Sequence, residues 1–483
     1  MGNTKPTARG NASDTDLCVI GAGSAGLSIA AGAAQMGART VLVEANRMGG
    51  DCLNTGCVPS KSLLAVAKLA HSLHDAARFG GPAVSASFDF SEVHDYVHSV
   101  IGAIAPHDSE ERFTRLGCTV IRARARFVDG RTIEAGGRRL RARRIVIATG
   151  SRPNVPSIPG LDQVPYFTNE TLFENAVLPQ HLVIVGGGPI GVEMAQAHRR
   201  LGAEVTVLSR SALLPRDDPD AVAVLRQSLI EDGVRLHEAA VDPRVRSNGA
   251  RISVTFADQN GEHEIDASHL LIATGRLPNV EDLNLEAAGV RYGPKGIEVD
   301  ARLRTSNRRI YAAGDVAGSY QFTHLAGYHA GIILRNALFR LPAKVDLTAF
   351  PRVTYADPEL AQIGMTEAQA RENHGHHLRV LREPFAEIDR ARTDGAERGF
   401  VKIMVTKRGR VLGATIVGRQ AGELLLPWTL AVSGHFKIGA LATAIAPYPS
   451  LSEITKRVAG SFYTPTLFSD RTRWLVRLLG WFG

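Results

Sequence analysis

The sequence predicts an α/β protein in which two similar parallel-sheet units are followed by a smaller α+β unit. Two observations predict the repeat: an apolar strand leads into a glycine-rich turn at Asp16 to Gly26, and the same order returns from His181 to Gly191. A third observation predicts the last unit, because strand-like and helical segments alternate in a new pattern from about residue 346. A chain of 483 residues is expected to form about two to four domains.

The bulk composition excludes several classes of protein. With 44% hydrophobic and 22% charged residues the chain is typical of a globular protein. The net charge of +8 is modest, and no basic run with interleaved aromatic residues predicts binding to nucleic acid. We expect a disordered tail at 1–15, no signal peptide and no membrane span. Four cysteines in so long a chain do not indicate a secreted disulfide scaffold, so we expect a cytoplasmic protein.

The first unit carries the pattern of a dinucleotide-binding site. The strand from Asp16 to Ile20 leads into a turn, an apolar helix from Leu27 to Met36 follows, and the strand from Thr40 ends in Glu44. Glycines in such a turn allow the sharp bend, the approach of backbone to a pyrophosphate and the packing of helix on strand, while the carboxylate accepts hydrogen bonds from a ribose. The three glycines are Gly21, Gly23 and Gly26.

Two cysteines follow this unit in a stretch bracketed by glycines. Cys52 and Cys57 are five positions apart within residues 49–61. A disulfide across so short a loop removes little entropy from the unfolded chain, which favours a bridge that opens and closes during turnover. The spacing alone leaves a metal half-site or two unrelated core thiols open. The histidines at 71 and 74 lack a third ligand, and the histidine-rich segment at 374–377 is interpreted as a surface loop. We therefore predict no metal site.

The second unit differs from the first at the end of its second strand. Its turn glycines follow the strand from His181 to Val185, but the strand from Glu204 to Leu208 ends in Ser209-Arg210, with Arg216 nearby. A missing carboxylate together with arginines favours the 2′-phosphate of NADPH over NADH. The alternative is a pair of surface arginines beside an NADH site. The turn glycines are Gly186, Gly188 and Gly191.

Each unit closes on the same short segment. Ala148-Thr149-Gly150 is repeated as Ala273-Thr274-Gly275, and a later strand leads into a tight turn that carries Asp315. An acid in this turn suits the ribityl hydroxyls of a flavin. Two such units predict either two dinucleotides or one nucleotide and a flavin, placed to exchange a hydride.

These segments, with Tyr355-Ala356-Asp357-Pro358-Glu359, resemble over residues 15–468 the FAD-dependent pyridine nucleotide–disulfide oxidoreductases, which include dihydrolipoamide dehydrogenase, glutathione reductase and mercuric reductase. The resemblance implies two Rossmann-like dinucleotide-binding domains, for FAD and NADPH, and an α+β dimerisation domain that completes each active site from the partner chain, hence a homodimer. The implied bounds are an FAD-binding domain at 16–155 and 277–345, an NAD(P)H-binding domain at 156–276, an interface domain at 346–468 and a basic amphipathic tail at 469–483.

The resemblance also implies residue roles. Cys57 would be the thiol nearer the flavin, and Cys52 the thiol that meets the acceptor. Lys61 and Glu193 are similar to a lysine–glutamate pair beside the flavin. The implied FAD site includes Gly21, Gly23, Gly26, Glu44, Gly50, Lys61, Gly150 and Asp315, and the implied NADPH site Gly186, Gly188, Gly191, Arg210, Arg216 and Gly275.

One departure bears on the electron acceptor. Disulfide reductases of this family carry a histidine, with a glutamate five positions on, as general acid–base near the C-terminus; here Tyr448 stands at the place of the histidine, and Glu453 is kept. A tyrosine with an ordinary pKa near 10 is a poor proton shuttle at neutral pH, so turnover of lipoamide-type or glutathione-type disulfides should be impaired by about 10²–10⁴. Mercuric reductases also have tyrosine here, although this sequence lacks their C-terminal cysteine pair and N-terminal metal-binding domain.

We therefore expect NADPH to reduce, through Cys52 and Cys57, a small acceptor such as a thiophilic metal ion. A diaphorase or quinone reductase that uses the flavin directly, a dihydrolipoamide or other disulfide reductase with an altered acid–base group, and a non-enzymatic membrane-associated redox sensor remain alternatives. The last depends on residues 469–483, where three arginines alternate with Trp and Leu. This tail packs on its own dimer or makes a weak contact with a membrane surface.

Overall fold

The computed structural model describes residues 13–82, 87–318 and 320–482. The predicted disordered tail at 1–15 lies for residues 1–12 outside this part of the chain. Residues 13–15 instead begin the first strand, so this strand starts three residues before the predicted Asp16. Their backbone pairs in parallel register with residues 140–142. A backbone ladder of this kind does not require apolar side chains, which explains why the polar sequence hides it.

The first unit is a mainly parallel sheet with helices packed against it. The strands, in spatial order, are Cys118–Arg122, Thr40–Glu44, Ser13–Ile20, Arg138–Ile147, Thr132–Ala135 and Ala125–Phe127, with Ile310–Ala312 also paired to Arg138–Ile147. The helices of this unit are Ser24–Gln35, Gly50–Asn54, Cys57–His74, Phe90–Ile104, Glu110–Arg115 and Thr323–Ala337. The apolar spacing of residues 91–116 predicts one long helix. The structure breaks it at Ala105–Asp108, where Pro106 lacks the N–H that helix continuation needs.

The second unit repeats the parallel arrangement on a smaller scale. Its four strands, in spatial order, are Arg235–Glu238, Glu204–Ser209, His181–Val185 and His269–Ile272, and its helices are Pro189–Arg200 and Pro219–Glu231. An antiparallel sheet of Val241–Asn248, Arg251–Asp258 and Gly261–Ala267 is attached to it. The segment that leads into the second unit and the segment that leaves it lie side by side, because Ser151–Pro153 pairs antiparallel with Arg276–Pro278. This crossing lies close to the predicted boundaries at 155 and 276.

The C-terminal unit is a five-stranded antiparallel sheet covered by short helices around the fully buried Trp428. Its strands, in spatial order, are Pro351–Thr354, Glu359–Gly364, Val411–Gly418, Phe400–Thr406 and Leu378–Pro384. Its helices are Glu367–His374, Asp389–Thr393, Ala421–Leu424, Leu426–Ser433, Ile438–Ala442, Glu453–Ser461, Thr464–Leu467 and Asp470–Leu479. The predicted α/β class, with two Rossmann-like domains and an α+β C-terminal domain, is confirmed.

Short elements complete the connections. A two-stranded hairpin joins Tyr292–Gly293 to Gly296–Ile297. The 3₁₀ helices are Asp75–Phe79, Ala105–Asp108, Leu161–Gln163, Leu172–Glu174, Gly314–Ala317, Gly375–His377 and Phe385–Glu387. Within the described ranges, no helix is long and apolar enough to cross a membrane.

Candidate active site

A single continuous cavity of about 2970 Å³ runs from the first glycine turn to the second. Small-molecule pockets commonly measure about 300–1,000 Å³, so this space is large enough for two nucleotide cofactors placed end to end. Most of the predicted site residues line it: Gly21, Gly23, Glu44, Gly50, Cys52, Cys57, Lys61, Gly150, Gly186, Gly188, Glu193, Arg210, Arg216, Gly275 and Asp315.

The first glycine turn has the close packing that a bound pyrophosphate requires. Gly21 has φ +104°, and a Cβ on Gly26 would lie 1.8 Å from the Gly21 carbonyl oxygen. The turn is therefore closed by the direct contact of two glycine backbones, and it leads into the helix Ser24–Gln35. The start of this helix faces the cavity, where its free N–H groups can bind an anion.

A second close contact brings the cysteine stretch to this turn. Gly50 has φ +59°, and a Cβ on it would lie 2.7 Å from the Cα of Gly23. Beside this contact, Glu44 is buried at the end of its strand. Its carboxylate accepts hydrogen bonds from the backbone N–H of Ala22 at 2.5 Å and of Asn46 at 2.6 Å. These residues fit a dinucleotide, because backbone lies open to the cavity and a carboxylate is held rigidly at the expected ribose position.

The second glycine turn repeats this construction. Gly186 has φ +133°, and a Cβ on Gly191 would lie 2.0 Å from the Gly186 carbonyl oxygen. The second strand ends in the buried Ser209, while Arg210 and Arg216 are exposed on the cavity wall. Gly26 and Gly191 support their turns from behind and do not line the cavity.

The two cysteines lie at the junction of two helices, and both are unbridged thiols in this structure. Cys52 belongs to the helix Gly50–Asn54, and Cys57 is the first residue of the helix Cys57–His74. The Sγ of Cys57 lies 3.4 Å from Oγ1 of Thr323. Hydrogen bonding from Cys52 and from Thr323, together with the positive charge of Lys61, lowers the pKa of Cys57 to about 6. Its hydrogen bond to Cys57, and burial, raise the pKa of Cys52.

An ion pair joins the first unit to the second next to these thiols. Lys61 Nζ lies 2.7 Å from Oε2 of Glu193, whose side chain is only 6% exposed. The other oxygen of Glu193 accepts from the backbone N–H of Tyr355 at 2.8 Å. The ammonium group of Lys61 also lies 4.6 Å from the centre of the Tyr355 ring. The lysine is thus fixed between two domains, with its charge directed at the cysteine side of the cavity.

Several residues that sequence reasoning missed organise the opposite wall. Arg276 donates to Oγ of Ser151 at 2.8 Å and lies 3.4 Å from a carboxylate oxygen of Asp51. Ser151 in turn donates to Asp315 at 2.5 Å. Burial raises the pKa of Asp315. Arg276 directly follows the repeated Ala-Thr-Gly segment, and this position could have indicated that it lies at the site. No local sequence pattern indicates a role for Thr323.

The predicted acid–base segment, with Tyr448 and Glu453, lies outside the cavity of its own chain. Among the described residues that line the cavity, neither Tyr448 nor Glu453 appears. The side chain of Tyr448 is 72% exposed, and its hydroxyl donates to Asp389 at 3.1 Å. This hydrogen bond raises the pKa of Tyr448. Within one chain the segment therefore does not meet Cys52 and Cys57.

Two facing dinucleotide units with a thiol pair between them define a class of redox protein in which nucleotide cofactors exchange electrons with cysteines. The comparison with protein families makes the class specific. Residues 15–330 match the model described as pyridine nucleotide-disulphide oxidoreductase, and residues 350–459 match the dimerisation domain of the same family. The chain belongs to the pyridine nucleotide–disulphide oxidoreductase family. Members use FAD and NAD(P)H, and the dimerisation domain supports a homodimer.

Individual relatives cover nearly the whole chain. A mercuric reductase from Streptomyces lividans is 36% identical, over 92% of this chain and 96% of the relative. A dihydrolipoyl dehydrogenase from Thermus scotoductus is 35% identical, over 91% and 95%. Among solved structures, the Cu(II) complex of an HOCl-induced flavoprotein disulfide reductase from Escherichia coli superposes with a TM-score of 0.83 at 29% identity, covering 92% of this chain and 99% of that one.

Proposed function

We propose that this protein uses NADPH to reduce a thiophilic metal ion through Cys52 and Cys57. The observation that carries the proposal is the thiol pair itself. One of its sulfurs has a pKa of about 6, and no proton-relaying histidine is present at the position where disulfide reductases of the family have one. A soft cation needs thiolates and not a proton relay, because it binds sulfur directly. The identity to mercuric reductases supports the same acceptor class.

The residues of this chain divide the work as follows. When bound, FAD would supply the two-electron transfer between the nicotinamide and the thiol pair, and Gly21, Gly23, Glu44, Gly50 and Asp315 would hold it. Hydrogen bonds from Cys52 and Thr323 and the charge of Lys61 favour the thiolate of Cys57 by lowering its pKa. Cys52 meets the acceptor from the other side of the pair. A soft cation would displace the proton of Cys52 to solvent and be held by both sulfurs. On taking up two electrons Hg²⁺ would leave as Hg⁰, and the sulfurs would keep their oxidation state.

The test is a panel of acceptors under NADPH with matched cysteine variants. We expect Hg(II)-dependent NADPH oxidation in the wild type, its loss in Cys52→Ser, and wild-type rates in Cys118→Ser. Cys118 is the matched control because it is buried in a strand of the first unit, away from the cavity. Rapid reduction by NADPH should also produce a long-wavelength charge-transfer band that Cys57→Ser abolishes. Equal turnover of Hg(II) by Cys52→Ser would contradict the proposal.

NADPH is the proposed reductant because positive charge replaces the ribose-binding carboxylate in the second unit. Arg210 and Arg216 are exposed on the cavity wall beyond Ser209. A guanidinium group binds a phosphate with two parallel hydrogen bonds, which the ribose hydroxyl of NADH cannot accept in the same way.

A quinone is the second candidate acceptor, and the C-terminal tail favours it. The helix Asp470–Leu479 and the three residues after it expose large apolar side chains, including Trp474, Trp481 and Phe482. Alternating arginines and aromatics suit a weak contact with a membrane surface, where quinones are dissolved. This candidate predicts that Cys52→Ala keeps quinone turnover. Removal of residues 469–483 should then lower binding to anionic lipid vesicles.

A further inference from the structure

Two histidines and one aspartate meet on the outer edge of the second unit. His237 lies on the edge strand Arg235–Glu238 of the parallel sheet. Asp258 ends the strand Arg251–Asp258, and His263 lies on the next strand, Gly261–Ala267. None of the three lines the cavity that holds the cysteines. The group is therefore separate from the redox site.

The ligand-capable atoms of these side chains converge. Nδ1 of His237 lies 2.8 Å from one oxygen of the Asp258 carboxylate, and Nε2 of His263 lies 2.8 Å from the other. With one ligand atom taken from each of the three residues, these atoms lie within 4.8 Å of one another. Ligands of a four-coordinate ion stand about 2.0–2.2 Å from it, so small side-chain movements suffice to place them around a common centre.

The surroundings hold this arrangement in place. The side chain of Asp258 is 3% exposed, and its carboxylate also accepts from the backbone N–H of Asn260 at 2.7 Å. The Phe256 ring packs against both imidazoles, with ring centres 4.8 Å from His237 and 5.0 Å from His263. The histidines keep 22% and 28% exposure, which leaves one side open to solvent. Supported ligands with an open approach are what a metal site requires.

We propose that His237, Asp258 and His263 form a binding site for a borderline divalent metal ion such as Zn²⁺ or Cu²⁺. Two imidazole nitrogens and one carboxylate oxygen suit these ions, whereas Mg²⁺ and Ca²⁺ prefer oxygen ligands alone and soft ions prefer thiolates. Three protein ligands leave a fourth position for water. Its nitrogen and oxygen ligands differ from the two sulfurs of Cys52 and Cys57, and the proposal does not depend on the acceptor proposed there.

A bound ion would also brace the loop that carries the proposed NADPH arginines. Glu238 directly follows His237 and accepts from the backbone N–H of Leu213 at 2.9 Å. Leu213 lies between Arg210 and Arg216. Fixing the edge strand to the hairpin Arg251–Ala267 therefore fixes one anchor of this loop. A ligand that binds only the folded protein raises the melting temperature as its concentration rises.

The test uses the full-length, FAD-loaded protein without a histidine tag. Cys52 and Cys57 are first replaced by serine, because thiolates at the redox site bind Zn²⁺ themselves. After chelator treatment and dialysis against Zn²⁺ in excess Mg²⁺, we expect about one Zn²⁺ per chain and a melting temperature that rises with the logarithm of Zn²⁺ concentration. The further variants His263→Gln and Asp258→Asn should each lose both effects.

The matched control is His377→Gln, which removes one member of an exposed histidine pair outside the cluster. It should keep the bound Zn²⁺. Full Zn²⁺ binding by His263→Gln, loss of binding in His377→Gln only, or no binding by the serine parent would each overturn the proposal. A second measurement does not depend on the cluster variants folding. Cu²⁺ bound to the serine parent should show nitrogen coupling from two imidazoles in its electron paramagnetic resonance spectrum, and a spectrum without nitrogen coupling would refute the site.

Discussion

The two glycine turns of this protein have nearly the same backbone, yet the strands beside them end differently. In the first unit a Cβ on the third glycine would lie 1.8 Å from the carbonyl oxygen of the first, and in the second unit 2.0 Å. A Cβ on Gly21 would meet the Ala148 oxygen at 2.3 Å, and one on Gly186 the Ala273 oxygen at 2.2 Å. The neighbouring strand ends in Glu44 in one case and in Ser209 in the other.

This difference indicates that the end of the second strand, and not the glycine turn, determines which cofactor each unit binds. The turns must bring backbone to a pyrophosphate, and only glycine permits contacts of about 2 Å between Cβ and carbonyl positions, so both turns are constrained alike. The strand end meets the part of the cofactor that varies. There the first unit presents a negative charge held by two backbone N–H groups, and the second presents a neutral serine followed by exposed arginines.

The largest effect is expected when the glycine turn of one unit is disrupted and that of the other unit is left intact. In Gly26→Ala the added methyl group meets a carbonyl oxygen that cannot move without opening the turn, at a cost of about 3 kcal/mol or more. We expect this variant to lose most of its FAD. Gly191→Ala should keep FAD and raise the KM for NADPH. FAD absorbance per chain and steady-state kinetics measure the two outcomes.

Gly102→Ala is the control for these glycine variants, because a Cβ there meets nothing within 4 Å on an exposed helix. It should bind FAD and NADPH as the wild type does. If Gly26→Ala keeps its full FAD content, or if Gly191→Ala loses FAD equally, the two turns do not serve separate cofactors.

The next effect sharpens the difference at the strand ends. Each charge-assisted hydrogen bond to a phosphate contributes about 1.5–3 kcal/mol, so Arg210→Gln with Arg216→Gln should lower kcat/KM for NADPH by about 10²–10⁴-fold. The value for NADH should change little. Arg235→Gln is the matched control, since Arg235 is exposed on the edge strand and does not line the cavity. Equal losses with both nucleotides would contradict 2′-phosphate recognition.

Repeated local patterns made much of this site predictable from sequence. In a glycine turn between a strand and a helix, the contacting glycines are about five residues apart in sequence. The geometry of the turn therefore follows from the types of these few residues. Arg276 and Thr323 were missed because their partners, Ser151 and Cys57, are distant in sequence and their own types are common. Tyr448 lies away from the cysteines of its own chain, where its hydroxyl contacts Asp389, and the resemblance assigns its segment to the active site of the partner chain.

A smaller effect is expected from the carboxylate of the first unit. Glu44→Ala leaves the N–H groups of Ala22 and Asn46 without their acceptor, which costs about 1–3 kcal/mol and should weaken FAD binding about tenfold. Glu44→Gln keeps one acceptor oxygen and should lose less. Fluorescence titration of the apoprotein with FAD measures both affinities. An unchanged affinity in Glu44→Ala would show that the carboxylate serves only its own loop.

The smallest effect tests the ion pair through which the two units meet. The pKa of Cys57 is lowered to about 6, so its thiolate fraction should rise with pH through that value and fall below it. Lys61→Met removes a stabilising positive charge and should raise this pKa by about 1 unit, whereas Glu193→Gln removes an opposing negative charge and should lower it slightly. The pH dependence of alkylation of the reduced protein measures both shifts. Lys68→Met, two turns beyond Lys61 on the same helix, should leave the midpoint unchanged. Shifts of the same sign in both variants would mean that Glu193 acts by positioning Lys61 and not by partly neutralising its charge.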